Sequence, residues 1–505
     1  MMRRPRLRIR ELAAVAAGTL LLSGCSSAPP APVPVHTDAA PVPTGLERFY
    51  DQAVSWAACE GGLKCAEVQV PMDYSDPTGK SITLALAKME GRKATKTLLV
   101  NPGGPGASGI DLVRDAGKFY FSKALRDNYD VLGFDPRGVS RSTPVKCQTD
   151  AQMDAERQLD LPTTTDADLA AIRKLSAANA KECDRRTGPP LAFVDTVSAA
   201  RDMDVIRALV GDPQLNYLGF SYGTKLGATY AGLFPQQVGR LVLDGAMDPA
   251  LSEEELVLGQ AKGFEGATRA YMQDCLDSGD CPFSGTLDAA MAQLHELIDS
   301  VAQTPMHASD GRLLPVTTFV NGFIYPLYDD RFWPDLSVAL SDAIAGDADA
   351  MMALSDDAAG RQEDGHYDGN ANAAFGAINC LDYKMVSDIP TMRRDASELE
   401  AASPTIGKYM AYGGIACQDW PYPPTGKQAP ASSATDHPIV VIGTTGDPAT
   451  PYDWAIALSG QLQTGVLVSF EGQGHTAYGR SNKCITNAVD DFLIDGKAPA
   501  DGLKC

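Results

Sequence analysis

Three residue types that together can carry out nucleophilic catalysis stand far apart in this chain: Ser221 in "GFSYG", Asp447 in "VIGTTGDPATP" and His475 in "EGQGHT". A serine hydroxyl is a weak nucleophile until a base takes its proton, so a serine set between glycines calls for a histidine. Six are available. His36 lies in a proline-rich stretch, His295, His307 and His366 fall in a long helical and polar insertion, and His437 precedes an apolar run. His475 instead follows such a run, where nearby glycines let a loop point its imidazole inward. That ring needs a carboxylate to fix its tautomer and to stabilise the imidazolium. Asp447 follows the preceding apolar run, while Asp244, ending "GRLVLD", is its rival. Asp447 also suits a plain helix N-cap before proline. Thr450 is placed either to hydrogen-bond near the acid or to start a helix.

Acyl transfer requires donors for the oxyanion that forms on the attacked carbonyl. The expected pair is the backbone N–H of Tyr222, beside the serine, and that of Gly104 in "NPGGPG", with Gly103 letting the main chain come close. A glycine-rich loop could instead hold phosphate, but neither G-x-G-x-x-G nor the Walker pattern occurs. No C-x-x-C or H-E-x-x-H is present either, so no metal is expected. Serine, imidazole and carboxylate need no cofactor.

These groups can meet only if the fold brings them together. Short apolar runs recur: "TLLV" at 97, "YDVLGF" at 129, "LNYLGF" at 215, "GRLVLD" at 239, "PIVVIG" at 438 and "GVLVSF" at 465. Continuous runs of this kind fit strands of a parallel sheet buried on both faces. Helical spacing lies between them, as at Ala199, Met203, Ile206 and Val210. Alternating strands and helices predict an α/β fold with a mostly parallel sheet and helices on both faces. "NPGGPG", "DPRG", Ser221, Asp447 and His475 all follow the carboxyl ends of strands, the side on which such sheets bind ligands. G-x-S-x-G is weak evidence alone; a strand before it and a helix of small residues after it give it the context of a nucleophile turn.

The expected layout is a signal segment at 1–24, a Pro/Ala-rich tether at 25–45, a first core part at 46–248, a mainly helical lid insertion at 249–404 and a second core part at 405–505. The basic start, short apolar run and "LLSGC" have the order of a secretory signal, and the run is too short to span a bilayer. "LLSGC" also resembles a bacterial lipobox, which would make Cys25 a lipid-modified membrane anchor; an ordinary signal with an unrelated cysteine is the alternative. Setting Cys25 aside from the 11 cysteines leaves an even number. Near-neighbour spacing suggests Cys59 with Cys65, Cys147 with Cys183, Cys275 with Cys281, Cys380 with Cys417 and Cys484 with Cys505. The address expected is extracytoplasmic, either membrane-anchored or secreted, and the chain is expected to be a monomer. Its net charge of −21 would repel a phosphate backbone, so nucleic acid is not an expected partner.

"NPGGPG", "DPRG", "GFSYG", "GDPATP" and "GQGHT", with "CQDWP" at 417, together resemble the tripeptidyl aminopeptidase branch of the α/β-hydrolase serine peptidases, relatives of proline iminopeptidase. The likeness runs from about residue 50 to the end. It implies an α/β-hydrolase fold and the removal of short peptides, tripeptides among them, from a free N-terminus through an acyl-enzyme on Ser221. In proline iminopeptidases a lid helix carries a Trp-Glu pair whose carboxylate meets the substrate amine. "KGFEGA" looks similar, which makes Glu265 a candidate amine anchor, a solvated helix glutamate being the alternative. The chain departs from that pattern in having Phe264 in place of the Trp, and Pro102 where those enzymes have a histidine. A carboxylester hydrolase of the cell envelope would use the same triad, and a tethered binding protein that no longer reacts is the reading outside enzymes.

Overall fold

A computed structural model describes residues 42–386 and 388–505. The signal segment, most of the tether and Cys25 lie outside the described residues. In chain order the strands are β1 (Ala57–Ala58), β2 (Lys64–Pro71), β3 (Ser81–Met89), β4 (Thr97–Asn101), β5 (Asp130–Phe134), β6 (Leu215–Phe220), β7 (Val238–Asp244), β8 (Met306–His307), β9 (Leu313–Leu314), β10 (Ile439–Gly446), β11 (Gly465–Gln473) and β12 (Leu503–Lys504). Ten of them form one sheet in the order β1-β2-β3-β5-β4-β6-β7-β10-β11-β12, and β8 pairs with β9 as a separate ribbon. From β5 to β12 every pairing is parallel, whereas β1, β2 and β3 make an antiparallel wing that joins through β3 and β5. This is an α/β-hydrolase fold, and all six apolar runs are strands of its parallel part.

Successive residues of these strands alternate between two buried cores, as the two-residue period of a strand requires. Leu99, Tyr217, Leu243 and Val441 line one face, where Ala199, Met203 and Ile206 of the helix Thr196–Leu209 meet Leu226 and Ala231 of the helix Tyr222–Leu233. Val100, Leu218, Val242 and Val440 line the other, covered by Leu125, Ile485, Val489 and Phe492. Helices on both faces remove the sheet from water, which is why its central strands read as continuous apolar runs.

Between β7 and β10 the chain builds helices around a core of their own, with Phe264, Tyr271, Leu294, Phe319, Phe323, Leu336 and Met351 at its centre. The first is the 26-residue helix Glu253–Ser278, started by a capping box between Ser252 and Glu255. The aromatic stretch "FIYPLYDDRFWPDL" is mostly helical, with short turns at Tyr325–Tyr328 and Asp330–Phe332 leading into the helix Trp333–Ile344. A later helix of the same insertion, Ala371–Asp382, returns to the main core, where Ala374, Ala377, Ile378 and Leu381 pack in one cluster with Leu99 and Tyr217. Five disulfides join the pairs that spacing suggested. Disulfides persist in oxidising compartments, so they fit an extracytoplasmic protein. No described helix is long and apolar enough to cross a membrane.

Candidate active site

Strand β6 ends in a turn that holds Ser221 at φ 55°, immediately before the helix Tyr222–Leu233. A non-glycine residue in this left-handed region is strained, and such strain persists only where the surroundings fix it. Here the Ser221 N–H donates to Asp244 O at 2.9 Å, and the Ser221 carbonyl accepts from Thr224 N at 2.8 Å. The flanking glycines are required by close packing: a Cβ on Gly219 would lie 2.4 Å from Gly223 O, and one on Gly223 would lie 2.9 Å from Asn101 O.

The loop after β4 packs directly on this turn. A Cβ on Gly103, whose φ is +98°, would come within 2.9 Å of Ser221 Cβ and 3.1 Å of Tyr222 N. The Gly103 N–H is spent on Asn101 Oδ1 at 3.0 Å. No hydrogen bond of the Gly104 N–H is found among the described residues, and Tyr222 N belongs to the first helical turn, where backbone donors lack intrahelical partners. Both N–H groups are thus without an intramolecular partner among the described residues.

Across from them, His475 follows β11 with its side chain only 10% exposed. Its Nδ1 lies 2.8 Å and 2.9 Å from the two oxygens of Asp447. Asp447 is itself held firmly, accepting from Ala449 N, Thr450 N, Thr450 Oγ1 and Thr476 N at 2.8–3.1 Å. Thr450 Oγ1 also sits 3.2 Å from His475 Nδ1. The other ring nitrogen, Nε2, is buried and has no hydrogen-bond partner among the described residues, Ser221 included. A Cβ on Gly245 would lie 3.2 Å from His475 Cε1, so this edge of the ring rests on the residue after Asp244, whose carbonyl anchors the Ser221 N–H.

Asp244 does different work from its rival. Its carboxylate accepts from Ala477 N and Tyr478 N at 2.7–3.1 Å, fixing the chain just beyond His475. Complete burial pushes its carboxyl up to about 6, against the opposing pull of those N–H groups. Three of the other described histidines point elsewhere, His295 to Thr405, His366 to Asp150 and His437 to Gln214, and the fourth, His307, lies in the β8–β9 ribbon.

Glu265 is not brought to this group. Its carboxylate accepts from Ser403 Oγ, Thr405 N and Thr405 Oγ1 at 2.9–3.1 Å, tying the helix Glu253–Ser278 to the segment at 403–405. The preceding Phe264 turns the other way and packs 5.6 Å from the ring of Tyr328, which in turn lies 5.5 Å from the His475 ring. A carboxylate already holding three donors serves as a structural tie, and a substrate amine at Glu265 would have to share it with them. Tyr328 was not singled out by sequence reasoning; the aromatic density of "FIYPLY" was the one signal that could have drawn attention to it. No group of three or more His, Cys, Asp or Glu able to hold a metal occurs among the described residues.

Residues 403–505 match the TAP-like protein family. Serine protease Hip1 of Mycobacterium tuberculosis is 35% identical over 90% of this chain and 91% of its own length. Tripeptidyl aminopeptidase of Streptomyces lividans is 31% identical over 100% of this chain and 98% of its own. The chain belongs to the tripeptidyl aminopeptidase-like serine peptidases. It is therefore a serine hydrolase. Carboxylesterase B of M. tuberculosis is equally similar, at 36% identity over 89% of each chain, so likeness alone does not choose the bond that is cut.

Proposed function

We propose that this protein is an exported exopeptidase that releases short peptides, tripeptides in the first instance, from a free N-terminus. Ser221 Oγ attacks the carbonyl carbon of the scissile peptide while His475 Nε2 takes its proton; Asp447 holds the imidazole by Nδ1 and stabilises the imidazolium. The negative oxygen of the tetrahedral intermediate is received by the N–H groups of Tyr222 and Gly104. The imidazolium then protonates the leaving amine. Water, activated by the same imidazole, hydrolyses the acyl-enzyme and restores Ser221.

The observation that carries this reading is the Asp447–His475 pair at 2.8 Å, set beside a strained Ser221 on the same end of the sheet. A fluorophosphonate probe tests it: the wild type should be labelled, and Ser221→Ala should not. An unlabelled wild type would favour the tethered binding protein instead. Specificity is tested with a tripeptide anilide against its amino-blocked analogue; equal turnover would remove the aminopeptidase claim.

A second reading, a carboxylester hydrolase, is favoured by two observations: the similarity to a carboxylesterase and the engagement of the Glu265 carboxylate away from the site. Faster turnover of simple p-nitrophenyl esters than of any tripeptide anilide would select it. The five disulfides support export, and Cys25 is the proposed lipid anchor. A membrane fraction that keeps the wild type and loses Cys25→Ser would test the anchor.

A further inference from the structure

His475 is gripped from the insertion side as well as by Asp447. Its backbone N–H donates to the carbonyl of Tyr328 at 2.7 Å. The approach is so close that a Cβ on the neighbouring Gly474, at φ +88°, would lie 2.9 Å from that carbonyl oxygen. The Tyr328 ring meets the imidazole nearly at right angles, 85° between planes at 5.5 Å, and is braced from behind by Phe264 of the long helix Glu253–Ser278. Arg480 closes the other side of the loop, with Nε donating to His475 O at 2.9 Å and to Thr476 O at 2.8 Å, while its Nη1 stands 3.8 Å from Asp330.

The imidazole is bonded at one nitrogen only. Rotation about the Asp447 contact would carry Nε2 toward or away from Ser221, and no hydrogen bond at Nε2 opposes it. Beside Asp447 and Thr450 at Nδ1, the group that stands against the ring itself is Tyr328 from the insertion, with the Gly245 backbone near the Cε1 edge. A displacement of about 1 Å at such a group can cost about 100-fold in rate.

We infer that Tyr328 is a positioning residue that sets the imidazole of His475 for Ser221, so that seating of the helical insertion and alignment of the base are one event. This rests on the proposed serine chemistry and adds to it a device located 147 positions upstream of the base.

The test compares the wild type with Tyr328→Ala and Tyr328→Phe in two assays: turnover of a tripeptide anilide, and the second-order rate of fluorophosphonate labelling, which needs no peptide subsite. Tyr328→Ala should lower kcat by about 10- to 100-fold with KM within about twofold, and should slow labelling by a similar factor. Tyr328→Phe keeps the ring and should restore both to near the wild-type values. Should Tyr328→Ala fail to fold, Phe264→Ala, which removes only the brace, should show the same pattern in milder form. A raised KM at unchanged kcat would make Tyr328 a pocket wall, and unchanged labelling would remove its link to the base; either overturns the inference. Absence of labelling in the wild type would instead overturn the serine chemistry itself.

Discussion

Asp447 reaches His475 Nδ1 with both carboxylate oxygens, at 2.8 Å and 2.9 Å, and Thr450 Oγ1 lies within 3.2 Å of the same nitrogen. The hydroxyl of Thr450 donates to Asp447 at 3.0 Å, so it steadies the acid while leaving a lone pair toward the imidazole N–H. Exchange of Asp447 for asparagine should leave the shape intact but favour the wrong tautomer, lowering kcat by about 10,000-fold. Thr450→Val removes one of several supports and should cost about 10-fold. Steady-state kinetics on the tripeptide anilide checks both; a Thr450→Val loss as large as that of Asp447→Asn would mean that the threonine, and not the carboxylate alone, fixes the ring.

Gly103 explains the opening of "NPGGPG" in steric terms. Its backbone is pressed so close to the nucleophile turn that any Cβ would overlap Ser221 Cβ and Phe220 O, the latter at 2.5 Å. Its φ of +98° is in addition a conformation that side chains resist. Gly103→Ala should therefore push the loop away from Tyr222 N and widen the space between the two oxyanion donors. The expected result is a fall in kcat of about 100-fold or more, as for loss of one donor, with smaller change in KM. A variant as active as the wild type would separate this loop from the oxyanion.

How far the sequence could be read depended on the range of the interaction. The six central strands are legible because helices cover both faces of the sheet, making most of their central positions apolar. Strand β2 is less legible, because it alternates buried Ala66, Val68 and Val70 with exposed Glu67 and Gln69 and so shows no continuous apolar run. Strand ends alone point to Ser221 and His475, and to Asp447 only with Asp244 as its rival. The choice between Asp244 and Asp447 needed coordinates in space, since both end strands on one rim and only the loop path decides which carboxylate meets Nδ1. Glu265 is the harder case: the local pattern "GFEG" suggests a role, but the hydrogen-bond partners of its carboxylate are Ser403 and Thr405, about 140 residues away and invisible to local pattern.

The Asp244 carboxyl, pushed up to about 6 from an ordinary 3.8, makes a pH prediction with a definite sign. The folded state holds this proton more tightly than the unfolded chain, so the group's contribution is fully present below about pH 4 and is lost as pH rises through about 6. Comparison with Asp244→Asn isolates it from other titrations. The stability of the wild type relative to the variant should increase on going from pH 7 to pH 4, by on the order of 3 kcal/mol. Urea unfolding at several pH values measures the difference. A constant difference across that range would mean that the buried carboxyl titrates normally.

Arg137 of "DPRG" follows a strand end on the same rim as Ser221, yet it serves the fold. The Arg137 and Asp202 side chains are fully buried and joined twice, Nε to Oδ2 at 2.7 Å and Nη2 to Oδ1 at 2.6 Å. The remaining guanidinium donors go to the carbonyls of Pro71, Met72 and Phe193, so all of its N–H groups are used. Asp202 takes a further hydrogen bond from Tyr74 at 2.8 Å. The pair thereby ties the antiparallel wing to the helix Thr196–Leu209. Removing one partner leaves the other charge buried and unpaired, which costs about 3–5 kcal/mol. Asp202→Ala should accordingly lower the urea midpoint sharply. Because neither residue touches Ser221 or His475, the fraction that remains folded should still be labelled by a fluorophosphonate at the wild-type rate. Replacing both partners together, Arg137→Met with Asp202→Leu, should be less damaging than Asp202→Ala alone. If the double variant instead loses more stability than the single, the guanidinium's three carbonyl contacts, and not its charge partner, are what hold the wing in place.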